Sequence, residues 1–256
     1  FLIPADIGGR YSVLSYFGLV PMMLSGVKIL RLLDMAQTMQ EECSVLSPTR
    51  NNPGAWLGVA IATLALAGHD KLTIISSPSI ISFGPWLEQL VAESTGKEGK
   101  GILPIVDEPF LNPRHYGNDR IFVYLTVSHD NNTSLEVHKK KILASGKPIL
   151  HFELRSRYDL GREFYRWEFA IAVAGSVLNI NPFNQPNVQH SKDLTNTILL
   201  KNNCEDHADE SSSMKSISQL LRQSKPGDYM AIMAYVHITP QIESALADFR
   251  RRVTER

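Results

Sequence analysis

The 256-residue chain balances 26 Lys+Arg against 26 Asp+Glu, with 43% hydrophobic and 20% charged residues; that is enough apolar material for one sizeable core. The zero net charge withholds the basic excess that nucleic-acid and anionic-membrane binding call for, although a small anionic substrate would need only one or two local cations. Cys43 and Cys204 lie far apart, which argues against a disulfide framework or a metal site and fits a reducing cytosol.

In chain order, Phe1-Leu2-Ile3-Pro4 has neither an initiator Met nor the basic-then-apolar order of a signal peptide. It reads as the interior of a longer chain. Residues 12–44 follow helical spacing, with breaks expected at Pro21 and Gly26. Asn52-Pro53-Gly54 is a turn signal, and residues 55–68 form an apolar, small-residue helix too short to span a bilayer. Strands are predicted at 72–76, 102–106, 121–127, 149–154 and 229–236. Helices are predicted at 80–94, at 135–145 with a stop at Gly146, at 163–177, at 188–201, at 216–223, and at 240–251 with Pro240 in the first turn. Residues 203–213 are acidic and serine-rich, and predict a mobile surface loop. The alternation predicts an α/β three-layer sandwich around a mainly parallel five-stranded sheet. Ligands in such sheets bind at the carboxyl ends of the strands.

Three segments carry chemistry. In Asp6-Ile7-Gly8-Gly9-Arg10-Tyr11-Ser12, the paired glycines admit a close backbone approach, and Ser12 is a candidate helix N-cap. A helix start with an arginine beside it makes an anion or oxyanion site. In Gln89-Leu90-Val91-Ala92-Glu93-Ser94-Thr95-Gly96-Lys97, Gln89 and Glu93 are four apart and point to one spot, and Gly96 reads as the C-cap. Glu93 is then a candidate general base. Asn181-Pro182-Phe183-Asn184-Gln185-Pro186 is an ordered loop ahead of a helix that carries Lys192 in its first turns. A cation is disfavoured there by the helix dipole, which hints at a functional reason. Taken singly, each has a bland reading: a tight turn with a surface arginine, a solvated carboxylate, a surface lysine.

Taken together and in this order, the three segments resemble the motifs of glucose-6-phosphate isomerases. Asn52-Pro53-Gly54-Ala55-Trp56-Leu57-Gly58 and Asp119-Arg120-Ile121-Phe122-Val123-Tyr124-Leu125 look like the bacterial form fused to transaldolase. The resemblance implies a cofactor-free, metal-free interconversion of glucose 6-phosphate and fructose 6-phosphate on a sugar-isomerase (SIS-type, flavodoxin-like) fold. Residues 1–50 would be the end of a first subdomain with connecting helices, and residues 51–256 a second subdomain. It implies Glu93 as the base moving a proton between C1 and C2, Arg10 as the stabiliser of the enediolate, and Lys192 as the lysine of ring opening. Gly9, Gln89 and Gln185 would contact the sugar. The family's Gln-His context is missing, and His115, in Asn112-Pro113-Arg114-His115, is the histidine closest after the glutamate motif. It is carried as a candidate catalytic residue against its reading as a loop histidine. No segment matches the family's phosphate-holding Ser/Thr loop, which the resemblance places before Phe1. The implied partners are a sugar phosphate and a transaldolase domain in the same parent chain, with no nucleic acid and no membrane, in the cytoplasm; the oligomeric state stays open. The alternative function is a non-catalytic sugar-phosphate-binding domain of the same fold.

Overall fold

A computed structural model describes every residue except Ala5, Val45, Ser47, residues 201–216, Pro226, Gly227 and Arg256. The expected acidic loop at 203–213 lies outside the described residues. The chain divides into two compact units: Phe1–Asn184 with Ser244–Arg256, and Gln185–Glu243.

The first unit opens with a short 3-10 turn at Gly9–Tyr11 and then helix α1 (Tyr16–Leu24). Ser15 caps α1, not Ser12. Ser15 has the extended backbone an N-cap requires, and its hydroxyl accepts from Phe17 N at 3.2 Å. Ser12 is turned differently (φ −104°, ψ 0°), and its hydroxyl donates back to the Gly9 carbonyl at 2.7 Å. Pro21 sits inside α1 and does not end it; the turn comes at Gly26, whose φ of 85° favours glycine. Helix α2 (Ile29–Glu42) buries Leu32, Ala36 and Met39 at helical spacing. Helix α3 (Pro53–Leu66) is set by Asn52, whose side chain accepts from Ala55 N at 2.8 Å, and by Pro53 in the first turn.

Four strands follow: β1 (Lys71–Ser76), β2 (Leu103–Val106), β3 (Arg120–Val127) and β4 (Ile149–Leu154). They are parallel in the order β2-β1-β3-β4, with Ile74 opposite both Val106 and Val123. All eight residues of β3 are buried. This matches its apolar run, because an inner parallel strand has no wet face. Helices α4 (Phe83–Thr95), α5 (Thr133–Ala144) and α6 (Leu160–Leu178) connect or follow these strands. One sheet face, with Leu72, Ile74, Val123 and Leu125, packs with Leu57, Ile61, Leu87, Leu90, Trp167 and Ile171 of α3, α4 and α6. The other, with Ile75, Phe122 and Tyr124, packs with Leu135 and Ile142 of α5 and with Leu111 and Tyr116. Helices meet at backbone distance where glycine permits. A Cβ on Gly58 would fall 2.3 Å from Ala170 O, and one on Gly161 would fall 2.0 Å from Leu32 O.

The sheet has four strands among the described residues, where five were predicted. Residues 229–236 carry no strand, and Tyr229 and Tyr235 are 66% and 96% exposed. Apolar alternation makes a segment fit to be a strand, but only a ladder of partners makes it one. That segment belongs to the unit that holds α7 (Pro186–Leu200) and α8 (Ile217–Gln223) and not to the unit that holds the sheet. The last helix, α9 (Pro240–Thr254), begins with the predicted proline. Its Arg250 donates to the carbonyls of Val106 and Asp107 at the end of β2. Among the described residues, no helix is long and apolar enough to cross a membrane. None of their His, Cys, Asp and Glu side chains form a group of three or more that could hold a metal ion.

Candidate functional site

The three motif segments meet within the first unit. Arg10 is 3% exposed. Its Nη1 donates to Ser94 Oγ at 2.8 Å and to Pro182 O at 2.9 Å. Its Nη2 donates to the carbonyls of Phe183 at 3.1 Å and Asn184 at 3.3 Å. One guanidinium thus binds the end of α4 to the turn at residues 181–184. Its Nε–H has no hydrogen-bond acceptor among the described residues and lies 3.5 Å from Glu93 Oε2. Tyr11 adds a 3.3 Å bond from its hydroxyl to Ser94 Oγ and a ring contact with Phe183 at 5.2 Å. Burial raises the Tyr11 pKa, so the phenol stays protonated.

Glu93 lies in the last turn of α4, where the helix dipole opposes a carboxylate. The predicted i, i+4 pairing is present: Gln89 Nε2 donates to Glu93 Oε1 at 2.9 Å. With Arg10 beside Oε2, the carboxylate has a neutral donor on one oxygen and a cation near the other. Its side chain is 34% exposed, so it is held in place while still reachable from solvent. Gly96 is the C-cap; a Cβ there would fall 2.8 Å from Ala92 O.

Lys97 belongs to the same cluster, although the sequence reading assigned it no role. It is 8% exposed, and its Nζ donates to Asn181 O at 2.7 Å, Asn184 O at 2.6 Å and Asn184 Oδ1 at 2.9 Å. Burial lowers its pKa, and the neighbouring Arg10 cation adds to this while Glu93 opposes it. A sequence signal was available: a lysine immediately after a helix C-terminus offsets the dipole and stands four residues from a motif glutamate.

Gly8 and Gly9 lie outside the left-handed region, and a Cβ on either would meet open space. Internal packing therefore gives no reason for glycine there. Gln185 and Lys192 fall in the second unit, at the start of and within α7. The structure does not bring His115 to Glu93. The segment of His115 packs through Leu111 and Tyr116 on the sheet face opposite α4, and its Nε2 accepts from Arg114 Nε at 3.1 Å. The cluster also lies away from the carboxyl ends of the strands. Thr95 Oγ1 accepts from Ile102 N at 2.9 Å, which ties the last turn of α4 to the residue before β2. Glu93 therefore sits at the end where strands begin, because a helix leaving a parallel strand must run back past the sheet.

No protein-family model matches the chain. Among curated proteins it is 31% identical over 248 residues to the glucose-6-phosphate isomerase of Leptospira biflexa serovar Patoc, covering 82% of this chain and 55% of that protein. It is 30% identical over 229 residues to the glucose-6-phosphate isomerase of Leuconostoc mesenteroides subsp. mesenteroides, covering 75% and 51% respectively. The chain spans about half the length of these relatives. Among solved structures, it resembles a glucose-6-phosphate isomerase from Chlamydia trachomatis with a TM-score of 0.64 and 19% identity, over 80% of this chain and 50% of that one. It also resembles a hypothetical protein from Thermus thermophilus with a TM-score of 0.65 and 19% identity, over 78% and 57%. These structural likenesses carry the α/β fold with its parallel sheet.

Proposed function

We propose that the chain belongs to the glucose-6-phosphate isomerase family and supplies the proton-transfer part of its site, interconverting glucose 6-phosphate and fructose 6-phosphate through an enediol. The observation that carries the reading is the position of Glu93: fixed by Gln89 on one oxygen and by Arg10 near the other, and still reachable. Glu93 takes the proton from C2 of the open-chain aldose; the C2–H electron pair forms the C1=C2 bond and the carbonyl π pair moves onto O1. The hydroxyl proton then passes from O2 to O1, C2=O forms, and the proton held by Glu93 returns at C1. Negative charge develops on oxygen in that step, so a fixed cation helps most in the transition state. Four of the five N–H groups of Arg10 are committed to Ser94 and the turn, and its buried Nε–H faces Glu93, so the guanidinium acts on the enediolate through its fixed charge.

The reading extends to Gly9, Gln89 and Gln185 as sugar contacts and to Lys192 as the residue of ring opening. The unencumbered Gly8-Gly9 turn supports a close ligand approach. The likeness of residues 52–58 and 119–125 to the transaldolase-fused type supports membership of that branch, as a cytoplasmic, metal-free isomerase with a three-layer architecture.

The test is Glu93→Gln in the full-length gene product, assayed with fructose 6-phosphate coupled to oxidation of the glucose 6-phosphate formed. Loss of a general base costs on the order of 10²–10⁴-fold in kcat. Turnover within about twofold of wild type, with the fold intact, would remove Glu93 from the role.

A further inference from the structure

The turn at residues 181–184 presents four consecutive backbone carbonyls to two cations. Those of Pro182 and Phe183 go to Arg10, that of Asn181 to Lys97, and that of Asn184 to both. Carbonyl dipoles converging on one spot repel one another, and that of Pro182, which is buried, would cost free energy without a donor. Local structure adds little to hold them: Asn181 Oδ1 accepts from Phe183 N at 2.9 Å, and Pro182 packs on Gly175. Arg10 alone does not reach Asn181. All three donors of Lys97 are spent on this turn, one of them on the Asn184 side chain.

We propose that Lys97 is a positioning residue of this site: its buried ammonium, together with Arg10, fixes the turn at 181–184 from which the chain passes directly to Gln185. The proposal rests on the isomerase reading of Glu93 above. A lysine that merely satisfied loop carbonyls would affect stability alone. This one also stands close enough to Arg10 and Glu93 for each to act on its charge. Its loss therefore disturbs the geometry of the turn and the electrostatics of the carboxylate together.

The experiment compares Lys97→Met and Lys97→Arg in the full-length gene product, with fructose 6-phosphate as substrate. Misplacement of a substrate-contacting segment by about 1 Å costs on the order of 10²-fold, and Lys97→Met is expected to lower kcat by about that factor. Lys97→Arg keeps the charge and should recover at least about tenfold of it, short of wild type, because a planar fork cannot place three donors around one point. Wild-type kcat in Lys97→Met overturns the proposal, as does a Lys97→Arg variant no better than Lys97→Met. If Lys97→Met does not accumulate folded, Asn184→Ala, which removes one of the three acceptors, takes its place; unchanged kcat then counts against the proposal. If the wild-type protein does not turn over fructose 6-phosphate, the isomerase reading fails, and Lys97 is judged by amide hydrogen exchange across residues 181–185. Exchange about tenfold faster in the variant supports the fixed turn, and unchanged exchange overturns it.

Discussion

Beneath α5, His138 is closed in by Tyr124, whose hydroxyl lies 2.8 Å from Nδ1, by Tyr116, whose hydroxyl lies 3.2 Å from Nε2, and by the stacked ring of Phe110 at 4.2 Å. At the end of α4, on the other face of the sheet, Arg10 is closed in by Ser94 and three backbone carbonyls. Each of the two residues is 3% exposed, yet one is neutral and the other charged. Burial pushes the His138 pKa down to about 4, and the imidazole sheds its proton to satisfy one hydroxyl as donor and the other as acceptor. Arginine has no neutral form within reach, so its surroundings must supply acceptors on every side. A charge-free network can be sealed beneath a helix. A charged one has to draw in a loop and keep a carboxylate alongside, and that carboxylate is where acid–base chemistry becomes possible.

The largest expected effect comes from removing the charge on the α4 side. Arg10→Met leaves the Pro182 and Phe183 carbonyls without donors and strips Glu93 of its cation, and breaking a buried ionic cluster from one side costs on the order of 3–5 kcal/mol. Urea unfolding measures this, and Arg10→Lys should recover only part of it, because the fork is lost. If Arg10→Met were as stable as wild type, the cation would be incidental and the comparison would collapse.

The neutral side responds to pH instead. The ordinary imidazole value of 6.5 applies to the unfolded chain, and the folded value is about 4. The folded state therefore refuses a proton that the unfolded state accepts between these values. Stability is fully present above pH 6.5 and falls as the pH drops from 6.5 toward 4, by at most about 3 kcal/mol. His138→Phe takes the His138 partner from the Tyr124 hydroxyl, while that of Tyr116 keeps Leu111 N at 3.0 Å and Pro109 O at 3.5 Å, and it should cost about 1–3 kcal/mol at pH 7. It should also remove this part of the acid slope. Melting temperatures of the two proteins at pH 7, 6 and 5 decide the matter: parallel curves would show that His138 is not the group that titrates.

The smallest effect sharpens the contrast from outside. Arg162 grips both carboxylate oxygens of Glu42 at 2.6 and 2.7 Å, joining α6 to α2 across a surface where the side chains are 24% and 41% exposed. Water already solvates both charges, so Glu42→Gln should cost less than about 1 kcal/mol, and less still in roughly 0.5 M salt. A loss comparable to that of Arg10→Met would mean that pairing, and not burial, sets the cost of a charge in this protein.

Much of the architecture was legible because it is local. The apolar runs of β1 and β3 announce strands buried on both faces, and Gly146 stops α5 with a φ of 74°. The Gln89–Glu93 contact follows from helical spacing alone. Ser12 and Ser15 are chemically equal as caps, and only the backbone angles set by the preceding 3-10 turn choose between them. The alternation at residues 229–236 suits a strand, but composition does not supply the neighbour a ladder needs.

The amino-acid sequence by itself determined some helix ends, such as the start of α3 at Asn52-Pro53 and the stop of α5 at Gly146, which residues are apolar enough to bury, and that Gln89 and Glu93 share one face, since each of these depends on neighbours within a turn or two of the chain. The tertiary structure alone decided that Arg10 reaches Ser94 across 84 residues, that it and Lys97 share the Asn184 carbonyl, and that His115 falls on the far side of the sheet from Glu93. Such contacts join segments whose sequence separation carries no geometric information, and they form because two buried cations must find acceptors once the core has closed around them.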